Sequence, residues 1–335
     1  MAMRIAVDAM GGDKAPQQVL DGALESLALL KADDELFLVG NEEIIRARLG
    51  ATAPGSARVH IEPASQVIGM EEAPVEAVRQ KRDSSIVKMV KLAAAGKVDA
   101  IISAGNTGAL VAAGVLMLKT LPGVDRPGIA VNVPTPHGVV MLCDAGANVS
   151  PKPVHLHQYA VLASLYYQAI HGKSKPRVGL LNVGTEDEKG TPLVKEARQF
   201  IATDTSIHFV GFVEGRDIFS GGCDVVVTDG FTGNVALKVM EGMNSAFIYN
   251  VHAQLRDIPP DVTTRIRPAM DRLLACYDHE EHGGALLLGV SSIFLKVHGS
   301  GGAKAIQNAV QAACEIGRKN VNASISARLV SSIVA

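Results

Sequence analysis

The sequence predicts an α/β protein in which a mostly parallel sheet is covered by helices on both faces. Short runs of β-branched and other apolar residues alternate with longer helical patterns through most of the 335 residues. Such alternation is typical of right-handed strand–helix–strand crossovers, which build parallel sheets. Apolar residues make up 47% of the chain and aromatic residues only 4%. A core of Val, Ile, Leu and Ala, as in a sheet buried on both faces, is therefore expected.

The predicted elements follow one another without a linker. We predict strands at residues 3–8, 36–39, 59–61, 100–103, 129–133, 139–143, 178–183, 207–210, 225–227 and 293–297. We predict helices at residues 16–31, 86–95, 107–119, 154–171, 192–202, 234–251 and 303–318. Because no change in composition divides the chain, we expect a single domain over residues 1–335, with a helical excursion near 252–280.

Charge and cysteine usage exclude several classes of protein. The formal net charge of −2 argues against nucleic acid as a main partner, since binding to phosphate backbones needs concentrated positive charge. The four cysteines are widely spaced, as in reduced cytosolic proteins rather than disulfide or zinc scaffolds. The first residues lack a signal-peptide pattern, and the apolar stretch at 109–118 is too short to span a bilayer. We therefore expect a soluble, cytoplasmic protein.

Five loops that follow predicted strands are the candidate ligand-binding regions. In open parallel sheets, ligands bind beyond the carboxyl ends of the strands, so we expect all five loops to share one edge. The candidate residues for substrate or phosphate binding are Asp8, Gly11, Gly12, Asp13, Gly105, Asn106, Thr107, Gly108, Asn182, Gly184, Glu186, Asp229, Gly230, Thr232 and Gly233. The first loop, at 8–13, is equally well explained as a tight turn in which Asp13 caps a helix.

Two of the loops have similar sequences. Residues 103–108 and 228–233 both contain a hydroxyl residue, then Gly, and then Thr-Gly at the start of a helix. Glycines allow the backbone to approach a ligand closely, and the N–H groups at a helix start attract anions. One such turn is weak support, whereas two in one chain indicate an anionic, phosphate-bearing ligand.

The remaining two loops add charged side chains. Lys189 follows three acidic residues before a predicted helix and could neutralise a phosphate, although a solvated charged loop explains the pattern equally well. His298, in a glycine-rich turn, is either a functional group at the same edge or a structural hydrogen-bonding residue. The sequence lacks a dinucleotide fingerprint, a P-loop and a nucleophile elbow. We predict no metal and no cofactor, because a charged loop accounts for the histidines of 279–282.

The five loops together resemble those of the bacterial phosphate acyltransferases. The resemblance extends in register from about residue 4 to 320 and is carried by residues 7–13, 103–108, 182–186, 229–234 and 297–300. It implies a Rossmann-like α/β/α fold related to phosphotransacetylase and to the isocitrate-dehydrogenase-like group. It also implies transfer of a fatty-acyl group from acyl carrier protein to inorganic phosphate. A homodimer is implied as well, loosely attached to the membrane and supplying acyl phosphate to a glycerol-3-phosphate acyltransferase.

The resemblance also implies site residues. The lysine and asparagine of the family's phosphate site correspond to Lys189 and Asn234, and His298 is a candidate proton source. This sequence has Gly301 and Gly302 where the family more often has Ser and Asp, and Ser150 where Asp is common. These departures concern the details of the last loop. We hypothesise that phosphate, held by Lys189 and the turn at 228–234, attacks the thioester directly. In this hypothesis Asn182 or Asn106 orients the thioester.

A cationic segment, 256–278, is a candidate docking surface for an acidic carrier protein or an anionic membrane. Its arginines are Arg256, Arg265, Arg267 and Arg272. An ordinary amphipathic surface helix explains the segment too. Three other functions stay open at this point: a phosphotransacetylase using coenzyme A, a nicotinamide-dependent dehydrogenase of related fold, and a non-catalytic phosphate-binding module.

Overall fold

A computed structural model describes residues 2–50, 58–256, 258–276 and 284–334. One continuous sheet of eleven strands forms its centre. The strands are β1 (Arg4–Asp8), β2 (Glu35–Gly40), β3 (Val59–Pro63), β4 (Ala100–Ser103), β5 (Gly128–Thr135), β6 (Gly138–Cys143), β7 (Arg177–Leu181), β8 (His208–Val213), β9 (Val225–Val227), β10 (Ala285–Leu288) and β11 (Ile293–Lys296).

Helices cover the sheet on both sides. The helices are α1 (Gln17–Glu25), α2 (Glu42–Leu49), α3 (Pro74–Gln80), α4 (Ser85–Ala94), α5 (Thr107–Met117), α6 (Pro153–His171), α7 (Pro192–Thr203), α8 (Gly230–Leu255), α9 (Pro260–Cys276), α10 (Ala303–Arg318) and α11 (Val321–Val334). Successive strand side chains point to opposite faces, and in β1 Ile5 and Val7 join one hydrophobic cluster while Ala6 joins another. The α/β/α architecture is therefore confirmed.

The helices divide between the two faces according to which cluster they enter. Buried residues of α1, α2, α6, α7, α10 and α11 belong to the larger cluster, on the side of Ile5. Those of α3, α4 and α5 belong to the second cluster, on the side of Ala6, and Leu237 of α8 packs against it. The helices α5 and α8 therefore lie on the same face of the sheet.

The order of the strands is β3-β2-β1-β4-β11-β10-β5-β6-β9-β7-β8. Seven neighbouring pairs are parallel, and the three pairs at the centre, β11–β10, β10–β5 and β5–β6, are antiparallel. The mostly parallel sheet is thus confirmed. It consists of two parallel halves that are joined through antiparallel strands.

This arrangement overturns the expectation that all five loops share one edge. Three successive reversals separate β11 from β6, so β1, β4 and β11 point in the opposite direction to β6, β7 and β9. The loops after β1, β4 and β11 lie at what we call the first edge. The loops after β6, β7 and β9 lie at the other, the second edge. The two similar turns, at 103–108 and 228–233, are therefore at opposite edges.

The central antiparallel strands were only partly predicted. The hairpin of β5 and β6 matches the expected pair of strands, whereas β10 was missed, as were the helices α2, α3 and α11. The excursion near 252–280 is present as the last residues of α8 and the helix α9, although residues 257 and 277–280 lie outside the described residues. That residues 1–335 form a single domain stays a prediction.

Two helical glycines should respond oppositely to substitution by alanine. A Cβ at Gly22 of α1 would collide with the carbonyl group of Ala303, at the start of α10, whereas a Cβ at Gly242 of α8 would meet nothing within 4 Å. Gly22→Ala should lower the free energy of unfolding by about 1–3 kcal/mol because backbone must shift. Gly242→Ala should raise it by roughly 0.5–1 kcal/mol through higher helix propensity. Denaturant unfolding of the two variants checks both signs, and equal effects would contradict the packing of α1 on α10.

Candidate functional site

Three loops contact one another at the first edge. The backbone N–H of Asp13 donates to the carbonyl of Gly299 at 2.8 Å, which joins the loop after β1 to the loop after β11. Gly12 has a φ of 104°, and a Cβ there would be 2.9 Å from that of Ala104, in the loop after β4. Glycine is therefore required at position 12 both for conformation and for space. The predicted convergence holds for these three loops.

The carboxyl group of Asp8 is the buried centre of this convergence. It accepts a hydrogen bond from the Ser103 hydroxyl at 2.7 Å and another from the Met10 N–H at 3.1 Å. A Cβ at Gly11 would be 2.5 Å from the same carboxyl and 2.7 Å from the nitrogen of Gly105. Burial raises the pKa of Asp8, since the charged form is poorly solvated there. Asp8 therefore holds the loops together from beneath.

The side-chain oxygen and nitrogen of Asn106 both form hydrogen bonds that position the turn at 103–108. Its side-chain oxygen accepts the Ala109 N–H at 3.0 Å and so caps α5. Its amide nitrogen donates to the carbonyls of Gly69, Met70 and Glu72 at 3.1, 3.0 and 3.2 Å. These hydrogen bonds pair the side chain of Asn106 with the protein itself, so the structure adds no support to the hypothesis that it orients a thioester, which stays a prediction.

The next two residues begin α5. A Cβ at Gly108 would be 2.5 Å from the ring of Pro74, so the glycine permits α3 to lie against α5. Thr107 is the first residue of the helix and is half-buried. Both residues place the N-terminus of α5 at the first edge, as the sequence predicted.

Lys296, the last residue of β11, is a functional candidate that the sequence did not indicate. Its ammonium group donates to the carbonyls of Val297 and Ala104. Burial, with a contribution from the nearby Lys238, lowers the pKa of Lys296 to about 8. A lysine with so low a pKa can both give and accept a proton near neutral pH.

His298 lies at the mouth of the same region. A hydrogen bond of 2.8 Å joins its Nδ1 to the hydroxyl of Ser300, and its Nε2 lies 3.9 Å from a carboxylate oxygen of Glu241. Glu241 also pairs with Lys238 at 2.9 Å. Lys238 and Glu241 of α8 thus lie close to the loops of the first edge.

The start of α8 is fitted tightly into the second edge. A Cβ at Gly233 would collide with the carbonyl oxygen of Asp144, and one at Gly230 would be 2.7 Å from the Asp144 carboxyl. Asp229 caps the helix by accepting the N–H and the hydroxyl of Thr232 at 2.8 and 2.7 Å. These four predicted residues therefore position the helix, and Asp229 and Thr232 are paired with each other.

The buried carboxyl of Asp144 organises the loop after β6. It accepts four backbone N–H groups, from Ile129, Gly146, Ala147 and Asn148, at 2.7–3.1 Å. Burial nevertheless raises the pKa of Asp144. Because Gly230 and Gly233 rest on this same residue, Asp144 also sets the position of α8.

The loop after β7 holds an exposed lysine on a structured turn. The side-chain amide of Asn182 donates to the carbonyls of Gly184 and Lys189 at 3.1 and 3.2 Å. The backbone N–H of Lys189 donates to the carbonyl of Glu186 at 3.1 Å. A Cβ at Gly184 would be 2.7 Å from the Glu186 carboxyl. Asn182 therefore shapes the loop, which weakens the hypothesis that it orients the thioester.

Lys189 and Asn234 present side chains at the second edge. Both are exposed, and in the described part of the chain neither ammonium nor amide forms a hydrogen bond or ion pair. The amide of Asn234 borders Gly146, where a Cβ would be 3.4 Å from its oxygen. Lys189 is in the loop after β7, and Asn234 is in the second turn of α8, which follows the neighbouring strand β9. The structure thus gives these residues the freedom that an anion site requires.

A polar row along α8 connects the two edges. Asn234, Lys238 and Glu241 are spaced i, i+4 and i+7, so they lie on one side of the helix. Seven residues of helix rise about 10 Å. Asn234 is at the second edge, while Lys238 and Glu241 face Lys296 and His298 at the first. The polar row of α8 therefore extends from the second edge to the first.

The side of α8 next to the polar row is apolar and exposed. Residues at every fourth position, Phe231, Val235, Val239, Met243 and Phe247, are 46–70% exposed. The predicted docking arginines are all exposed. They lie further along the chain than the apolar row: Arg256 at the end of α8, and Arg265, Arg267 and Arg272 on α9. Arg267 lies 4.0 Å from Asp271. The amphipathic helix that the sequence suggested for this segment is present.

Metal-binding clusters of three or more His, Cys, Asp or Glu side chains are absent from the described residues. The histidines of 279–282 lie outside those residues. Within the described part of the chain, no helix is long and apolar enough to cross a membrane.

The fold places the protein in the class of α/β proteins that includes the phosphotransacetylases. A phosphotransacetylase from Streptococcus pyogenes has a TM-score of 0.60 at 18% identity, with 96% of this chain and 94% of that chain covered. A 4-hydroxythreonine-4-phosphate dehydrogenase from Klebsiella pneumoniae has a TM-score of 0.55 at 14% identity, with 94% and 99% covered. Both share the fold alone.

Sequence comparison identifies the family within that class. The family model described as "Fatty acid synthesis protein" matches residues 3–324. A phosphate acyltransferase from Halothermothrix orenii is 44% identical over 95% of this chain and 96% of its own length. One from Bacillus subtilis is 42% identical over 96% and 97%. The chain belongs to the phosphate acyltransferase family and is an acyltransferase.

The role of Asn106 as a structural clamp can be tested by removal. Asn106→Ala deletes the cap of α5 and leaves three carbonyls without their donor, so the free energy of unfolding should fall by about 1–2 kcal/mol. Denaturant unfolding measures the loss. Asn41→Ala, which removes only the cap of the exposed helix α2, is the control and should cost less. An Asn106→Ala variant with wild-type stability would contradict the clamp.

Proposed function

We propose that this enzyme transfers a fatty-acyl group from acyl carrier protein to inorganic phosphate and releases acyl phosphate for phospholipid synthesis. The observation that carries the proposal is the polar row of α8. It leads from the unpaired amide of Asn234 at one edge to Lys238, Lys296 and His298 at the other. These donors along one side of a helix could bind a small anion at one end and a thioester beside it.

Inorganic phosphate is proposed to bind at the second edge, between Lys189 and Asn234. A lysine ammonium and an asparagine amide both donate hydrogen bonds to phosphate oxygens. The start of α8 adds its helix dipole, although several of its first N–H groups are already paired. The attraction should therefore come mainly from the two side chains. Of the fifteen predicted loop residues, the seven at the second edge are proposed to shape this site rather than to touch the phosphate, and the other eight belong to the first edge.

The proposed reaction is direct attack. A phosphate oxygen forms a bond to the thioester carbonyl carbon, the carbon–sulfur bond breaks, and the sulfur of the carrier's phosphopantetheine arm leaves as a thiolate, which then takes up a proton. No protein nucleophile is needed, because phosphate is already an anion at neutral pH. The enzyme mainly positions the two reactants and stabilises charge on the carbonyl oxygen, for which Lys238 and Asn234 are suitably placed.

The acyl donor is proposed to dock through the arginines of α8 and α9. Acyl carrier protein is acidic, so the exposed guanidinium groups beyond the polar row of α8 would attract it. The apolar row of α8 is proposed to be covered by a second copy of the chain in a homodimer. We propose a cytoplasmic enzyme that also associates with the membrane surface, where a glycerol-3-phosphate acyltransferase would consume the product.

Replacement of the phosphate-site residues should reduce turnover without unfolding the protein. Lys189→Ala and Asn234→Ala each remove one exposed donor, and each should lower phosphate-dependent release of carrier thiol at least about tenfold. The apparent KM for phosphate should rise, because ground-state contacts are lost as well. Thiol release is measured against phosphate concentration for acyl carrier protein and coenzyme A thioesters.

Lys195→Ala, an exposed lysine on the neighbouring helix α7, is the matched control and should retain wild-type rates. Normal turnover in both site variants would refute the phosphate site. Faster turnover with coenzyme A thioesters than with acyl carrier protein would show a phosphotransacetylase instead. Phosphate binding without any thiol release from the wild type would show a non-catalytic module.

Charge reversal should distinguish carrier docking from membrane docking. Arg265→Glu with Arg267→Glu would repel an acidic carrier, so the apparent KM for acyl carrier protein should rise several-fold while the KM for phosphate stays constant. The control reverses Arg79 and Lys97, two exposed cations outside α8 and α9. An unchanged KM together with lost binding to anionic vesicles would assign the arginines to the membrane.

A further inference from the structure

We propose that Lys296 carries the proton of this reaction, passing it from the attacking phosphate to the departing thiolate. This inference rests on the proposed function and adds a residue to it. Lys296 is distinct from Lys189, which is proposed to bind phosphate, and it takes the place of His298 as the proton source. Three observations support this role of Lys296: the position of its side chain at the end of β11, the charges around it, and the proton balance of the reaction.

The first support is position. Lys296 lies beside Ser103 in the pairing of β11 with β4, so its side chain starts at the strand ends of the first edge. The residue is half-buried, and its ammonium reaches the carbonyl of Ala104 at 3.5 Å. It also lies near Lys238, in the middle of the polar row of α8. A thioester bound along the polar row of α8 would therefore pass this ammonium.

The second support is the set of charges around it. Asp8 at the end of β1 and Asp13 in the loop after it lie near Lys296. On the other side, Lys238 and Glu241 of α8 lie near it. Asp8 is held by Ser103, and Glu241 pairs with Lys238. Among the described residues, Lys296 itself forms no ion pair and is bound only to backbone carbonyls. Its proton is therefore not fixed by a carboxylate, in keeping with a pKa lowered by burial.

The third support is chemistry. At neutral pH the nucleophile is largely hydrogen phosphate, and the product acyl phosphate no longer has that hydrogen. The leaving group departs as a thiolate and ends as a thiol. One proton must consequently move from phosphate to sulfur in each turnover. An ammonium that protonates the thiolate, and then recovers a proton from phosphate, balances every atom and charge without another reactant.

His298 is less suited to this task. It is exposed, its Nδ1 is joined to Ser300, and its Nε2 lies near Glu241. An exposed imidazole exchanges protons with water, whereas a half-buried ammonium can retain its proton until the thiolate forms. His298 would instead border the end of the polar row of α8, beside Glu241.

The test is the pH dependence of thiol release from acyl carrier protein in the wild type and two variants. Wild-type kcat/KM should fall as pH rises above about 8, because the ammonium form is lost there. Lys296→Arg keeps the positive charge but cannot release a proton near neutral pH. Its rate should be lower by roughly 10²-fold or more, and its profile should lack the decline near pH 8. Lys296→Met should show a similar loss.

The control is Lys97→Arg, at an exposed turn before β4, which should preserve both the rate and the profile. Thermal unfolding midpoints check that the variants are folded. A wild-type profile that stays flat from pH 7 to about 9.5 would overturn the proposal even if neither variant folds. A Lys296→Arg enzyme with near wild-type rates would show that only charge matters, and would also overturn it. Absence of phosphate-dependent release in the wild type would instead refute the proposed function.

Discussion

The antiparallel centre of the sheet is the constraint from which the geometry of this protein follows. Because β10, β5 and β6 reverse direction in turn, the strand ends of one half face away from those of the other. Loops from both halves can serve one reaction only if another element connects them. The helix α8 does so, since it begins on Asp144 at the second edge and meets Lys296 and His298 at the first.

The strand order also explains why two turns have similar sequences. Leaving out β3 at the end of the sheet, the order reads β2-β1-β4-β11-β10 from one side and β8-β7-β9-β6-β5 from the other. The two halves thus correspond under an internal two-fold rotation, which pairs β4 with β9. The turns at 103–108 and 228–233 are equivalent positions, and their helices α5 and α8 lie on the same face of the sheet.

Local features of the fold were readable from the sequence, whereas its long-range pairings were not. The strands from β1 to β9 and the loops after them follow from apolar runs and glycine-rich turns. The strand β10 is an apolar run of only four residues, Ala285–Leu288, which periodicity alone does not identify as a strand, and without it the reversal of the sheet cannot be deduced. Lys296 was missed because it ends an apolar strand, and the structural role of Asn106 was missed because its three carbonyl partners are more than 30 residues away.

The length of α8 has a mechanical consequence. Its 26 residues extend about 39 Å, yet only the first part of the helix is anchored, through Gly230 and Gly233. Because the helix is held near its N-terminus, a small tilt there moves its other end much further. A shift of a fraction of an ångström at Asp144 therefore becomes a displacement several times larger at Phe247. The far end of α8 can therefore move several times further than Asn234, which directly follows the anchored Gly233.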